Sequence, residues 1–393
     1  MLISGAGVAG PALAYWLLRY GFTPTLVERA PRPRTGGYMI DFWGVGYDVV
    51  ERMGLLPEVL GVGYDVGELR IVDRAGHKVG GFDVEGVRKA TRGRYTSLRR
   101  GDLARILHRS IDTPAEVIFG DSITALQEHE DRVTVFFERT PARSFDLVVG
   151  ADGLHSTVRR LAFGPDSDFE RFLEYTVAAF AFDGYRPRDE GAYVAYSVPR
   201  LQVARFSMRD DRTMFLLVAA DASPESATLV DRRAQEAYLK RRFARIGWET
   251  DRILELVPAA DDVYFDRVSQ IRMNRWCTRR VALVGDAAYC PSLLAGEGAG
   301  LALLGAYVLA GELVTGDSHD SALERYEGRL RRFLDEKQAA ARRFAGSFAP
   351  KTHLGLFLRN WLSRALSSPF MADLTLGRSL RDDIELPRYS AGT

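Results

Sequence analysis

A carboxylate interrupts an apolar run in the segment VALVGDAAYCPSLLAGEGAG, residues 281–300. Residues 281–284 have the composition of a buried strand, and Asp286 follows them after a single glycine. A carboxylate at a strand end accepts hydrogen bonds from a sugar-like chain of hydroxyl groups, and the N–H groups of the following helix stabilise negative charge on an adjacent ring. The residues assigned to a ligand here are Gly285, Asp286, Pro291, Gly296, Gly298 and Ala299. The alternative is a plain strand-to-helix loop capped by Asp286.

Three glycines near the start of the chain, Gly5, Gly7 and Gly10, have the spacing GxGxxG between a short apolar strand and a helical pattern. The first glycine permits a tight turn, the second lets the backbone approach a pyrophosphate, and the third lets helix and strand pack closely. Glu28 ends the second strand, where a carboxylate accepts ribose hydroxyls and repels a 2′-phosphate. The pattern favours binding of a dinucleotide without a 2′-phosphate over a purely structural turn.

Another strand-to-helix junction lies in DLVVGADGLHSTVR, residues 146–159. The apolar strand ends in small residues that include Asp152, and Ser156 stands where a helix N-cap is expected, with Arg159 in the first turn. Two interpretations stay open on the residues alone. The segment is a capped junction, or Asp152 contacts a ligand.

Composition excludes several classes of function. The chain has 393 residues, of which 46% are hydrophobic and 27% charged, and its formal net charge is +1, so we expect no nucleic-acid partner. The two cysteines form no CxxC pair, which predicts neither a disulfide framework nor a metal site and favours a reducing, cytoplasmic location. No window supplies about twenty uninterrupted apolar residues, so we expect no membrane span.

The elements that must position these residues alternate along the chain. The opening residues predict strand, turn, helix and strand, followed by a long loop over APRPRTGGYMIDFWG. Between residues 171 and 270, strand-like runs separated by polar turns predict an antiparallel sheet. After residue 300, LALLGAYVLAGELV predicts a buried helix, and a long amphipathic helix follows it. Because nucleotide-type segments lie on both sides of the strand-rich stretch, we predict a discontinuous α/β domain with an inserted sheet.

Along the chain, the first motif is the glycine turn at residues 5–10, the second is the junction at residues 146–159 and the third is the segment 281–300. In this order and at these separations, they resemble the group A flavoprotein monooxygenases of the para-hydroxybenzoate hydroxylase type. The resemblance covers essentially the whole chain. It is closest to actinobacterial polyketide-modifying members and to tetracycline-inactivating flavin monooxygenases, through GDAAYCPS, GAYVLAGEL and LRRGDLARIL. It implies a Rossmann-like FAD-binding domain over residues 1–70, 97–165 and 272–330. The antiparallel-sheet substrate domain would then cover residues 71–96 and 166–271, and a C-terminal helical segment residues 331–393.

The resemblance also implies the cofactors, which are non-covalent FAD and NADPH or NADH as transient co-substrate. In this family NAD(P)H reduces the flavin, oxygen adds at its C4a carbon, and one oxygen atom passes to the substrate. The resemblance gives an expected contact for most of the cofactor residues: Gly5, Gly7 and Gly10 (pyrophosphate), Glu28 (ribose), Arg34 (NADPH), Asp41 (flavin), Arg100 (ribityl–phosphate region), Asp152 (FAD and NAD(P)H) and Asp286 (ribityl or pyrophosphate). Ala9 and Arg29 are also expected to bind the cofactor. The loop residues Gly285, Pro291, Gly296, Gly298 and Ala299 complete this set.

No catalytic base is assigned, because the family's chemistry is carried out by the flavin. His155 is interpreted as a supporting residue, and the other five histidines are expected at the surface. The substrate is expected between the flavin and the inserted sheet, as a bulky aromatic or polyketide-type small molecule. Its candidate lining residues are Phe42, Trp43, Tyr193, Phe206, Met208, Phe215 and Met273. The expected oligomeric state is a monomer or homodimer.

Two positions depart from the family pattern. Glu297 stands where the family has glutamine, and an inward-facing carboxylate would oppose the anion that forms on flavin reduction. Tyr289 replaces a histidine of the aromatic hydroxylases, as it does in the tetracycline-inactivating branch. The alternative to a hydroxylating monooxygenase is a non-redox, decalin-forming cyclase of Diels–Alder type that keeps FAD as a structural element. A flavin-dependent halogenase is disfavoured because the WxWxIP signature is absent.

Overall fold

Short apolar segments form most of the strands in the computed structural model, which describes residues 1–33, 36–111, 115–221, 231–365 and 382–390. The described strands are β1 (Leu2–Ser4), β2 (Thr25–Glu28), β3 (Met39–Trp43), β4 (Glu68–Val72), β5 (Lys78–Asp83), β6 (Tyr95–Arg99), β7 (Glu116–Phe119), β8 (Ile123–Glu128), β9 (Val133–Phe137), β10 (Arg143–Phe145), β11 (Val148–Gly150), β12 (Glu170–Asp183), β13 (Ala192–Val198), β14 (Leu201–Ser207), β15 (Arg212–Ala220), β16 (Val263–Ile271) and β17 (Val281–Leu283).

Helices connect these strands and cover the sheets. The described α-helices are α1 (Ala9–Arg19), α2 (Gly44–Arg52), α3 (Leu56–Val62), α4 (Glu85–Ala90), α5 (Arg100–Arg109), α6 (Thr157–Ala162), α7 (Asp166–Phe169), α8 (Arg232–Phe243), α9 (Thr250–Leu256), α10 (Asp286–Tyr289), α11 (Gly298–Thr315), α12 (His319–Ala345) and α13 (His353–Ala365).

A five-stranded sheet with the order β17-β11-β1-β2-β7 forms the centre of the nucleotide-type part, and each neighbouring pair in it is parallel. Its three inner strands β11, β1 and β2 are almost entirely buried, as expected for apolar strands covered on both faces. Because the carboxyl ends of parallel strands meet at one edge, the turns after β1, β2, β11 and β17 lie together. This edge carries all three of the motifs that the sequence singles out.

The apolar segment predicted to be a buried helix is α11, which packs in the core together with α1, α2 and α12. It is the one helix in the described part of the chain that is long and apolar enough to cross a membrane, and most of it is buried inside the protein. Its first turn touches α2 closely, because a Cβ on Gly46 would lie 2.5 Å from the Cα of Gly300.

The strand-rich insert forms a seven-stranded sheet with the order β16-β12-β15-β14-β13-β4-β5. Its pairs are antiparallel except for β13 and β4, which are parallel. Helices α8 and α9 cover one face, and the other face packs against β3, β6 and the loop that precedes α11. The predicted α/β class with an inserted, mainly antiparallel sheet is confirmed, whereas the exact division into domains stays a prediction.

The prediction of one long loop after β2 was wrong in part, because the end of that segment forms a strand. Residues 39–43 form β3, which pairs with β6 in an antiparallel ladder that joins Asp41 to Ser97 and Trp43 to Tyr95. Local composition does not predict this strand because its partner lies more than fifty residues away along the chain. The ladder is what brings the side chain of Asp41 to two hydroxyl groups, as described below.

Candidate active site

The glycine turn after β1 has a backbone that side chains would disrupt. Gly5 has a φ of +102°, and a Cβ there would lie 2.5 Å from the carbonyl oxygen of Ala151. A Cβ on Gly10 would lie 1.9 Å from the carbonyl oxygen of Gly5, so α1 packs on the turn only because this position has no side chain. The buried His108 also supports the turn, because its Nε2–H donates to the carbonyl oxygen of Ala6 at 2.7 Å.

Glu28 lies beside this turn at the end of β2. Its Oε2 accepts the backbone N–H of Ala6 at 2.8 Å, and its Oε1 accepts that of Ala30 at 2.9 Å. A carboxylate has about four acceptor positions, so two remain for hydroxyl groups of a ligand. The side chain is thereby held in one orientation with its free acceptor positions available at the cleft that it lines.

Arg100 brings positive charge to the same cleft from the start of α5. Its backbone N–H donates to the carbonyl oxygen of Tyr38 at 3.0 Å, and its Nη2 lies 3.5 Å from where a Cβ on Gly7 would be. Burial raises the pKa of Asp286, and the charge of Arg100 partly offsets that rise. The arginine therefore lies between the glycine turn and the aspartate of the third motif.

The second motif is a capped junction, and its aspartate also lines the cleft. The Asp152 carboxylate accepts hydrogen bonds from the Ser156 hydroxyl at 2.5 Å and from the backbone N–H groups of Thr157 and Val158 at 2.8 and 3.1 Å. Ser156 is the N-cap of α6, as predicted, and accepts from the N–H of Arg159 at 3.0 Å. Burial raises the pKa of Asp152, and these bonds lower it. Asp152 therefore both caps the junction and lines the cleft, so a capped junction and a ligand contact do not exclude each other.

The third motif ends in a strained loop that leads into α11. Ser292 has a φ of 149°, which is rare for a residue with a side chain, and Gly296 has a φ of +72°. Helix α11 then begins without a side-chain cap and without an acidic residue in its first turn. Its N–H groups open onto the cleft at Gly298 and Ala299, where they favour negative charge on a ligand.

Most of the predicted cofactor residues come together along this cleft. Those that line it are Gly5, Gly7, Ala9, Glu28, Arg29, Arg100, Asp152, Asp286, Gly296, Gly298 and Ala299. Four others do not line it, namely Gly10, Asp41, Gly285 and Pro291. Gly10 and Gly285 lie where chain segments pack closely, and the carbonyl oxygen of Pro291 accepts from Gln270 at 2.6 Å. Arg34 lies outside the described residues.

Asp41, Phe42 and Trp43 border a second, much smaller cavity, which the cleft meets at Gly296. This cavity has a volume of about 20 Å³, enough for about one water molecule. It does not accommodate a bulky substrate. Phe42 is itself almost fully buried, so its expected contact with substrate is not supported by its position.

The Asp41 carboxylate is held by hydroxyl groups. It accepts from Tyr95 at 2.7 Å and from Ser97, both on the paired strand β6. Burial raises the pKa of Asp41, and the two hydrogen bonds lower it. The resemblance assigned this residue to the flavin, and the structure adds a polar network that continues toward the inserted sheet.

The predicted substrate residues divide by the face of the sheet on which they lie. Tyr193, Phe206 and Met208 share a cluster with Tyr95, on the face turned toward β3 and β6. Phe215 packs instead against α8 and α9 on the opposite face, because alternate residues of a strand point to opposite sides. Met214, the residue before Phe215, lies on the face turned toward β3 and β6, where Phe215 was expected.

Met273 is also placed away from the cleft. It lies in the central core, and its carbonyl oxygen accepts from Arg331 at 2.6 Å. The positions of Phe215 and Met273 do not support the contact with substrate that was expected of them. Side-chain type alone does not distinguish a core position from a lining position, because apolar and aromatic residues fill both.

Sequence reasoning missed several cleft residues. Tyr264 and Asp266 project from β16, and Tyr38 packs on Tyr264 with ring centroids 5.2 Å apart. The Nε2 of His155 lies 3.1 Å from both carboxylate oxygens of Asp266, which supports the secondary role predicted for this histidine. His108 was expected at the surface and is buried against the glycine turn. Its place in RGDLARILHR, on the apolar side of an amphipathic helix, is the signal that pointed to burial.

Glu297 does not line the cleft. Its carboxylate is therefore not the inward-facing group that was expected to oppose the anion of a reduced flavin. Its carboxylate lines the small cavity and lies 2.9 Å from the Nζ of Lys337 on α12. The same Nζ lies 2.6 Å from a carboxylate oxygen of Asp382 in the C-terminal segment. Burial raises the pKa of Glu297, and the ammonium group lowers it.

The cleft fits the dinucleotide that the resemblance implies. Helix α1 begins at Ala9 without a side-chain cap and without an acidic residue in its first turn, so its N–H groups are available to a pyrophosphate. Because Gly7 has no side chain, the space between it and the guanidinium group of Arg100 stays open. Glu28 retains acceptor positions for a ribose, and Asp286 offers a carboxylate beside the start of α11.

Comparison with known proteins agrees with this geometry. Residues 1–339 match the model of a family described as FAD binding domain. A flavin-dependent monooxygenase from an unknown prokaryotic organism is 38% identical over 340 residues, or 86% of this chain and 87% of that protein. An uncharacterized protein of Mycobacterium tuberculosis is 41% identical over 344 residues, or 86% of this chain and 91% of that protein. The crystal structure of the tetracycline destructase Tet(55) has a TM-score of 0.84 and 33% identity, and covers 99% of this chain and 98% of that chain.

Proposed function

This chain belongs to the FAD-binding family of flavin-dependent monooxygenases, and from that premise we propose that it uses NAD(P)H and O₂ to hydroxylate a bulky aromatic or polyketide-type molecule. FAD is the cofactor of this family. When bound, it accepts a hydride from NAD(P)H and activates oxygen. The chain's own residues bind and orient the cofactor and exclude water.

The observation that carries the proposal is the convergence of two uncapped helix N-termini on one cleft. The start of α1 suits the pyrophosphate, and the start of α11 suits negative charge that develops on a reduced ring. With FAD bound, Glu28 would accept hydrogen bonds from the adenosine ribose hydroxyls, and Asp286 would accept them from the hydroxyls of the ribityl chain. Arg100 contributes a positive charge between these groups.

The substrate class is proposed from two further features. The tetracycline destructase Tet(55) aligns with this chain over nearly its whole length, and its name indicates a large, ring-fused substrate. On the side of the inserted sheet, Tyr193, Phe206 and Met208 belong to an apolar and aromatic cluster beside the Asp41 network. Phe206 and Met208 are almost fully buried in this cluster, and Tyr193 is only partly buried. An aromatic molecule with hydroxyl groups matches both the aromatic character of this side and the hydrogen-bonding carboxylate.

The experiment measures NADPH consumption and oxygen uptake by the FAD-loaded protein with a panel of ring-fused phenols and small phenolic acids. We expect both rates to rise with ring-fused compounds and the product to carry one atom from ¹⁸O₂. Asp286→Asn should reduce FAD retention, whereas Asp335→Asn on the exposed side of α12 should not. Product formed without oxygen or NADPH would support the cyclase instead, and turnover of small phenolic acids alone would refute the substrate class.

A further inference from the structure

Helices α2 and α11 begin next to each other beside the small cavity, and a carboxylate lies at the start of each. Glu297 is the N-cap of α11, between two glycines that line the cleft. Asp382 lies over the start of α2, where its Oδ2 accepts the N–H of Val45 at 2.6 Å. Gly44 is required for this approach, because its Cβ would lie 2.0 Å from the same oxygen.

Lys337 joins the two carboxylates. Its Nζ lies 2.9 Å from Glu297 and 2.6 Å from Asp382, and the side chains of the three residues are only 11%, 18% and 9% exposed, in that order. We call this group the lysine bridge. It connects the loop before α11, the middle of α12 and the C-terminal segment, which are far apart along the chain.

The charges of this group are close to balance only when the lysine is present. Two carboxylates carry two negative charges, one ammonium carries one positive charge, and each helix start contributes roughly half a positive charge. Without Lys337 about one negative charge remains on the group, divided between the start of α2 and the start of α11. That helix start is the part of the protein expected to favour negative charge on a reduced flavin.

The C-terminal segment 382–390 is held by contacts that do not involve the bridge. Arg52 donates to the carbonyl oxygens of Leu386 at 3.1 Å and Pro387 at 2.7 Å, and Tyr307 donates to that of Pro387 at 2.6 Å. The Tyr389 hydroxyl donates to Glu312 at 2.7 Å. Removal of the lysine charge should therefore leave most of this segment in place.

We propose that Lys337 is a positioning residue for the flavin, which holds Glu297 away from the cleft and cancels its charge so that the start of α11 stabilises the reduced cofactor. The lysine compensates for the glutamate that stands where the family has glutamine. This inference rests on FAD binding in the cleft and not on the proposed substrate.

The test is the midpoint potential of bound FAD, measured at pH 8 in the absence of substrate. We expect Lys337→Met to bind reduced FAD about tenfold more weakly relative to oxidised FAD, which lowers the potential by about 30 mV for a two-electron couple. Glu297→Gln alone should raise the potential, and the double variant should return it to the native value. Lys351→Met, which removes a half-exposed lysine paired with Glu174, is the matched control and should change nothing.

Three results would overturn the inference. These are an unchanged potential in Lys337→Met, a double variant that stays as low as the single one, and a fall in Asp382→Asn equal to that in Lys337→Met. The last result would assign the effect to the position of the C-terminal segment instead of the charge on Glu297. If Lys337→Met fails to fold, Glu297→Gln still decides the matter, because the inference requires its potential to rise. Failure of the proposed substrate to react leaves all these measurements intact.

Discussion

The guanidinium group of Arg159 donates a hydrogen bond of 2.9 Å to the carbonyl oxygen of Ala287 and so joins the second cleft motif to the third, 128 residues away. The side chain is fully buried and also donates to the carbonyl oxygen of Leu154 and to the Asp166 carboxylate, at 2.7 and 2.6 Å. Two of the strand ends that form the cleft are therefore connected by one buried charge.

Arg159→Met is expected to lower the free energy of unfolding by about 3–5 kcal/mol, because it leaves two carbonyl oxygens without their donor and removes the buried partner of the Asp166 carboxylate. Urea unfolding with saturating FAD measures this. Arg160→Met is the matched control, because Arg160 pairs with the same Asp166 at 3.2 Å but is 42% exposed, and an exposed ion pair contributes only about 0–1 kcal/mol. Equal losses in the two variants would contradict the role of Arg159.

Gly10→Ala is expected to weaken FAD binding at least about tenfold, since the new Cβ would meet the carbonyl oxygen of Gly5 and displace α1 from the turn. Titration of the apoprotein by flavin fluorescence gives the dissociation constant. Gly328→Ala serves as the control because a Cβ there has no atom within 4 Å, and in a helix interior it should stabilise the protein by about 0.5–1 kcal/mol. An unchanged affinity in Gly10→Ala would exclude α1 from the cofactor site.

Glu28→Gln is expected to raise the dissociation constant of FAD about tenfold, or about 1.4 kcal/mol. The amide group places an N–H donor against one of the two backbone N–H groups that the carboxylate now accepts, and it offers fewer acceptor positions to a ribose. Glu116→Gln on the neighbouring strand β7 is the control, since Glu116 pairs with Arg143 outside the cleft. If both variants bind FAD equally well, Glu28 has no role in ribose recognition.

Asp266→Asn is expected to destabilise the protein more at pH 5.5 than at pH 8.5. The Asp266 carboxylate raises the pKa of His155, and burial opposes this rise. A histidine whose pKa is raised on folding contributes stability that is fully present below its unfolded pKa, about 6.5, and is lost as pH rises through the folded value. Unfolding of the native protein and the variant at several pH values measures the difference.

His155→Gln provides the control for this pH effect. With no ionisable ring, the additional change Asp266→Asn should have the same cost at both pH values. The pair is half-exposed on the histidine side, so the effect should also shrink at high salt. A cost that grows with pH would contradict the assignment of the raised pKa to this contact.

Much of the cleft could be predicted because its residues follow directly from strand ends. Gly5, Glu28, Asp152 and Asp286 each stand within a few residues of an apolar strand, and parallel strands bring their carboxyl ends to one edge. The spacing GxGxxG and the capping serine are local patterns that depend on few neighbouring residues. The lining of the substrate side did not follow in this way, since it depends on which face of a strand meets the cleft.

The sequence by itself determined the three motifs, the α/β class and the sheet edge at which the motifs meet, because each rests on residues close together in the chain or on the periodicity of strands and helices. Only the tertiary structure decided that His108 supports the glycine turn, that Phe215 packs against α8 and α9, and that Glu297 pairs with Lys337. These depend on contacts between segments distant along the chain, and burial and charge pairing are properties of such contacts and not of residue type.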